Sequence, residues 1–418
     1  MKFKMRALRV AVLGCLLMSG AAASATDIEV LHWWTSGGEA KAAAQLKSIM
    51  ESKGYTWKDF AVAGGGGENA MTVLKTRVVS GDPPAAAQIK GPSIQEWGQE
   101  GVLANLDPVA KIEKWDHMLP AAVANVMKFD HHYVAVPVNV HRVNWLWVNP
   151  AVFQAAGATV PKTWDEFPAA AEKIRAAGYI PLAHGGQPWQ DFTVFESVVL
   201  GVGGADFYRQ ALVDLDQDAL RSDTMKRAFE VFGALRADID PDAPNRDWNQ
   251  ATTMVINGKA AMQLMGDWAK GEFTQAGKVP GKDYECVAAP GSQGAFTFNV
   301  DSLVMFQQDA DDVAKGQQVL ASAVLSPAFQ KVFNLAKGSI PVRTDMDMAS
   351  FDACARKSAQ DFQAAAQSGS LVPSIAHQMA VPAATAGAMQ DVVTQFFNTP
   401  DAPVERALAQ LAQAAQVQ

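Results

Sequence analysis

The chain has 418 residues, 49% of them hydrophobic and 19% charged, enough apolar material for a large core and too much for a disordered chain. At roughly 150 residues per domain this length predicts two or three domains. A formal charge of −8, with no cluster of Lys and Arg, lacks the electrostatic footprint that phosphate backbones require and excludes nucleic acid as a partner.

Lys2, Lys4, Arg6 and Arg9 precede the apolar run Val10 to Met18, and small residues follow, ending in Ala23-Ser24-Ala25. This basic, apolar, A-x-A order predicts a secretory signal peptide over residues 1–25, cleaved after Ala25. Reading Val12-Leu13-Gly14-Cys15 as a lipoprotein site instead would leave only about six apolar residues ahead of it. The run is shorter than the ~20 residues of a membrane span, and nothing later sustains one, so no membrane insertion is expected. Cleavage removes four of 35 basic residues and none of 43 acidic ones, which leaves a net charge of −12.

Ile28 to Trp34 reads as a strand, Thr35 to Gly38 as a loop, and Glu39 to Ser52 as a helix. Asn69–Val79 then reads as helix, Ala86–Ile89 as strand, Ser93–Gly98 as helix, and Tyr133–Val140 and Trp145–Val148 as strands. Thr163, three residues before Glu166, forms a capping box that starts a helix running to about Ala177. Helical signal dominates Phe192 to Leu235, strands follow at Ala261–Met265, Glu285–Ala288 and Ser302–Phe306, and helices run through Ala310 to Phe333. The Ala/Gln-rich tail from Asp391 reads as helix. Such alternation predicts an α/β fold with mainly parallel sheets.

The run Gly64 to Gly67 fails both phosphate-loop patterns, since no Lys-Ser/Thr follows and Asn69 stands where a third glycine is needed; it reads as a flexible loop tip. Seven histidines show neither HExxH nor another metal spacing. No GxSxG and no local cysteine-nucleophile signature occurs. Once Cys15 leaves with the signal peptide, Cys286 and Cys354 remain as an even pair in an oxidising compartment. A disulfide is allowed there, and two buried free thiols are the alternative.

Eleven tryptophans stand out, several beside loops and acids: Trp33-Trp34 at a strand end, Trp248 next to Asp247, Trp268 next to Asp267. A lone Trp usually belongs to a core or its rim, but grouped with polar neighbours these point to carbohydrate. The C–H faces of a pyranose lie well against an indole face, while its hydroxyls need carboxylates, amides and charged donors that replace water.

Several segments together resemble one family, the extracellular solute-binding proteins of sugar ABC transporters, family 1. They are Val79-Ser80-Gly81-Asp82-Pro83-Pro84 with Glu100-Gly101-Val102-Leu103-Ala104-Asn105-Leu106, then Val136 to Arg142, Pro161 to Phe167, Asn257 to Met262, and Met265-Gly266-Asp267-Trp268. Ala85 stands where that pattern often has an aspartate. Trp33-Trp34 with Glu39, and Gln88-Ile89-Lys90, resemble the glucose- and mannose-binding subgroup. The resemblance implies a two-lobe, type II periplasmic-binding-protein fold with a hinge between lobes, one of residues 26–135 plus 290–340 and the other of 136–289 plus 341–418. It implies sugar contacts from Trp33, Trp34, Glu39, Gln88, Lys90, Trp248, Trp268, Asp301, Lys337 and His377. It further implies a monomer in the periplasm, without cofactor, that holds a monosaccharide, D-glucose above others, and hands it to an inner-membrane ABC permease.

The rival readings are a disaccharide or other sugar as ligand, a chemoreceptor as recipient, and a secreted glycoside hydrolase. The last needs two carboxyls roughly 5 to 10 Å apart; Glu39 and Asp301 are the candidates, but Lys90 and Lys337 nearby would favour their charged forms and oppose a general acid. A ferric-ion site is disfavoured because the five tyrosines are widely separated.

Overall fold

A computed structural model describes residues 25–417; the expected signal peptide and its cleavage site lie outside or at the edge of that range. Strand Thr26–His32, with Ile28, Val30 and Leu31 buried, is flanked in parallel by Tyr55–Ala61 and Ala86–Ile89. The antiparallel strand Ser302–Met305 pairs with Ala86–Ile89 and with Ala135–Pro137, which completes a five-stranded sheet. Because the added strand runs the other way, its beginning meets the end of Ala86–Ile89: Ser302 lies opposite Ile89. That register puts Asp301 beside Lys90 at the end of the sheet where open α/β folds carry their crevice.

A second sheet, in the order Glu285–Ala288, Trp145–Val148, Ala260–Leu264, Ile180–Leu182, has its own core around Leu146, Phe195, Phe229, Met262 and Met389. Between the two lobes lies a three-stranded sheet of Leu371–Pro373, Phe296–Asn299 and His141–Arg142. The chain crosses between lobes on these three segments. Along the third crossing, Phe351, Ala355, Phe362 and Ala365 still pack in the first core, and Val372 and Ile375 enter the second. No single helix among the described residues is long and apolar enough to cross a membrane.

Several local expectations need correction. Tyr133–Val140 is not one strand: only Ala135–Pro137 joins the sheet, because the chain then turns to cross lobes. Thr163 Oγ1 does accept from the Glu166 N–H at 3.3 Å, but Glu166 reaches back to Lys162 N rather than Thr163, and the helix starts at Phe167. A true capping box forms instead at Ser36-Gly37-Gly38-Glu39, opening helix Gly37–Ser52. The tail folds as two helices, Ala383–Phe397 and Val404–Ala414, separated near Pro403.

Cys286, on the edge strand of the second sheet, is bridged to Cys354 at the start of helix Ala353–Ser368, with Cα atoms 6.0 Å apart. The bridge closes a separation of 68 residues, for which restriction of the unfolded chain is worth about 4 kcal/mol. Reduction, or the double change Cys286→Ser and Cys354→Ser, is expected to lower the urea midpoint accordingly. An unchanged midpoint would show that the bridge adds no stability.

Candidate binding cleft

One cleft of about 320 Å³ opens between the lobes. Of the ten residues expected from the sequence, eight line it: Trp33, Glu39, Lys90, Trp248, Trp268, Asp301, Lys337 and His377. Trp33 follows the first strand and Lys90 the third, so both project from carboxyl ends of parallel strands. Glu39 lies in the first turn of helix Gly37–Ser52 and Lys337 in the last turn of Pro327–Lys337. Each charge has the sign its helix terminus favours, and the two form a buried ion pair. Glu39 Oε2 also accepts from Ser36 N at 3.4 Å.

Trp34 and Gln88 do not line the cleft; both lie behind it. Successive side chains leave a strand on opposite faces, so with Trp33 turned to the cleft Trp34 turns inward, edge-on to Phe333 with ring centroids 5.3 Å apart. Its Nε1 donates to Asp301 Oδ2 at 3.3 Å. Gln88, fully buried, accepts from Trp33 N at 3.2 Å and donates to Asp301 Oδ1 at 3.1 Å. Both therefore act on the cleft through Asp301 and Trp33. Trp34→Phe, which keeps a ring but deletes the donor, is expected to weaken ligand binding by no more than about tenfold. Trp34→Ala, by opening a core cavity, should also cost about 3–5 kcal/mol of stability. Titration and melting of the two variants separate these effects.

Asp301 is the electrostatic centre. It also accepts from Asn139 Nδ2 (3.4 Å) and His141 Nε2 (3.0 Å). Burial alone would raise its carboxyl, yet His141, Lys337 and Lys90 hold it well below the carboxylate range. His141, wedged between Asp301 and Asp267, is raised despite burial by these two carboxylates. Lys90 stands with Nζ 5.1 Å from the Trp33 ring centroid. Burial pushes its ammonium down to about 8, against the pull of Asp301, and no hydrogen bond among the described residues supports it. A desolvated donor that faces a cleft without a protein partner is suited to a polar ligand.

Sequence reasoning missed His141, Gln187, Trp189, Asn249 and Asn299 on the cleft wall. Asn299 carries a buried Oδ1 without a partner among the described residues, an acceptor in need of a donor. The glycine run has a place in the site: Gly64 and Gly66 line the cleft. A Cβ on Gly66 would come within 3.2 Å of the Trp189 ring, and one on Gly67 within 3.0 Å of Trp33. Both residues have positive φ. The run is glycine because backbone passes against two indole faces in a conformation that side chains disfavour.

Residues 35–331 match the model for the bacterial extracellular solute-binding protein family. The chain belongs to that family. A protein of Rhizobium meliloti named probable sugar-binding periplasmic protein is 51% identical over 388 residues, covering 93% of each chain. One of the same name from Brucella melitensis is 50% identical over 399 residues, covering 94% of each. Among solved structures, the solute receptor AcbH, described as preferring β-D-galactopyranose, superposes with a TM-score of 0.78 at 19% identity, over 94% of this chain and 97% of its own; that likeness concerns the two-lobe fold. Proteins of this family bind solute and are not enzymes, which removes the glycosidase reading. In keeping with that, Asp301 is held ionised and Glu39 is paired with Lys337, so neither candidate carboxyl is poised as a general acid.

Proposed function

We propose that this protein is the periplasmic binding component of an ABC importer, that it takes one monosaccharide, D-glucose, into the cleft between its lobes, and that it delivers the sugar as a monomer to an inner-membrane permease. The observation that carries this reading is the pairing, in one small cleft, of indole faces with polar groups left without partners among the described residues. Trp33, Trp189, Trp248 and Trp268 supply apolar faces, and Lys90 Nζ and Asn299 Oδ1 supply an unmatched donor and acceptor. A pyranose presents both surfaces at once. A volume of about 320 Å³ lies within the range of roughly 300 to 1,000 Å³ for small-molecule sites and accommodates one sugar ring. The names of the Rhizobium and Brucella relatives support sugar and periplasm alike.

The test is calorimetric titration of the mature protein, unfolded and refolded to strip bound sugar, with D-glucose, D-mannose, D-galactose and maltose. One-to-one binding of D-glucose, tighter than the other three, is the expected result. Preference for an epimer or for maltose would overturn the glucose assignment and leave sugar binding standing; silence from all four would overturn the glucose assignment and send the search to other sugars or to a non-sugar ligand.

A further inference from the structure

Helix Pro188–Leu212 carries Trp189, Thr193 and Glu196 at spacings of four and three residues, hence on one face. Trp189 lines the cleft, and the other two lie behind it. Glu196 is fully buried, yet among the described residues no cation pairs with it. Its four hydrogen bonds are accepted from Tyr208 Oη (2.8 Å), Ser374 Oγ (2.6 Å) and the backbone N–H groups of Ile375 (2.9 Å) and Ala376 (3.2 Å). Three of these donors belong to the residues immediately before His377. Burial, partly offset by the same hydrogen bonds, pushes the carboxyl up to about 7.

Thr193 completes the arrangement. Its hydroxyl donates to the Trp189 carbonyl at 2.8 Å, and a hydroxyl has a single proton. With that proton on the carbonyl, which can only accept, Thr193 accepts in its 3.2 Å contact with His377 Nε2, and this arrangement assigns the ring proton to Nε2. Burial, reinforced by Lys90 and His141, keeps that ring neutral. A neutral imidazole protonated at Nε2 leaves Nδ1 as a lone-pair acceptor.

We infer that Glu196 and Thr193 are positioning residues for ligand binding: Glu196 fixes the loop 374–377 and Thr193 fixes the His377 tautomer, so that Nδ1 accepts a sugar hydroxyl. The inference rests on the sugar-cleft reading above, and the experiment separates the two. D-Glucose titrations of Glu196→Gln, Thr193→Val and His377→Ala, each checked by its melting temperature, form one arm. Each single change should weaken binding about tenfold to a hundredfold. Because the first two act through His377, combining either with His377→Ala should add no more than about twofold to the loss of His377→Ala alone. In the ligand-free protein, ¹⁵N chemical shifts of the His377 ring should report the Nε2–H tautomer, which Thr193→Val converts to a mixture. That arm needs no sugar, so it still tests the inference should D-glucose fail to bind. Losses that multiply with His377→Ala, wild-type affinity in the positioning variants, or an Nδ1–H ring in the wild type would overturn it. If Glu196→Gln does not fold, Thr193→Val carries both arms.

Discussion

Replacement of Lys90 by methionine is expected to weaken D-glucose binding by at least about a hundredfold and, at the same time, to raise the melting temperature. The two effects share one cause. The ammonium is buried over Trp33 without a hydrogen bond among the described residues, so in the free protein its desolvation is offset in part by the fields of Asp301 and Glu39, with Lys337 opposing them. A ligand hydroxyl that accepts from it gains a charge-assisted bond worth about 1.5–3 kcal/mol, and an ammonium can donate more than one. Methionine keeps much of the packing volume, loses those bonds, and removes the buried charge. The pH dependence has a definite sign. The folded-state value, about 8, lies below the ordinary lysine value near 10.4, so the unfolded chain binds the extra proton between them. Stability in the wild type should therefore rise from pH 8 to pH 10, whereas sugar affinity should fall over the same window as the donor is lost. Bound sugar should favour the charged form, so titrations near pH 8 in buffers of different ionisation enthalpy should reveal proton uptake on binding. Wild-type affinity in Lys90→Met would contradict the role given to this residue.

The second large effect is expected at Asp301. Changing it to asparagine leaves His141, Lys90 and Lys337 without their shared counter-charge. It also turns an amide N–H₂ toward groups that are themselves donors, Gln88 Nε2 on one side or Trp34 Nε1 and His141 Nε2 on the other. Breaking a buried charge network by removing one partner costs about 3–5 kcal/mol, and the cleft should lose measurable D-glucose binding with it. The wild-type carboxyl is held below its unfolded value, so its contribution is fully present above about pH 4 and is lost as pH falls through the folded value. Urea midpoints of wild type and Asp301→Asn should thus be far apart at pH 7 and converge in acid. Equal midpoints at pH 7 would refute the network.

Much of this was legible in the sequence because strand ends are where function collects in an α/β fold. Strand signals place Trp33 and Lys90 at strand ends, in agreement with the site role that the resemblance gives them, whereas Asp301, Lys337 and His377 rest on resemblance with little local sequence to mark them. What the sequence could not supply was side-chain direction. Trp33 and Trp34 read as equivalents, yet one faces the cleft and the other the core, because neighbours on an extended chain point opposite ways. His141 follows directly on Tyr133–Val140, a segment that reads as a plain strand; its setting between Asp267 and Asp301, 126 and 160 residues away, is tertiary. Trp189 and the glycine run each looked ordinary, and only their contact across the cleft gives both a reason. The Ser36–Glu39 capping box is readable as S-x-x-E; with Thr35 to Gly38 read as a loop, the helix is expected to start at Glu39, two residues later than it does.

The central claim, that one sugar ring lies between the lobes in this cleft, is tested most directly by a crystal structure of the protein with D-glucose. The account predicts a single pyranose with a C–H face against an indole of the cleft, and its hydroxyls within hydrogen-bond distance of Lys90 Nζ, Asn299 Oδ1 and His377 Nδ1. A sugar bound elsewhere, or one in the cleft that leaves Lys90 and the tryptophans untouched, would contradict it.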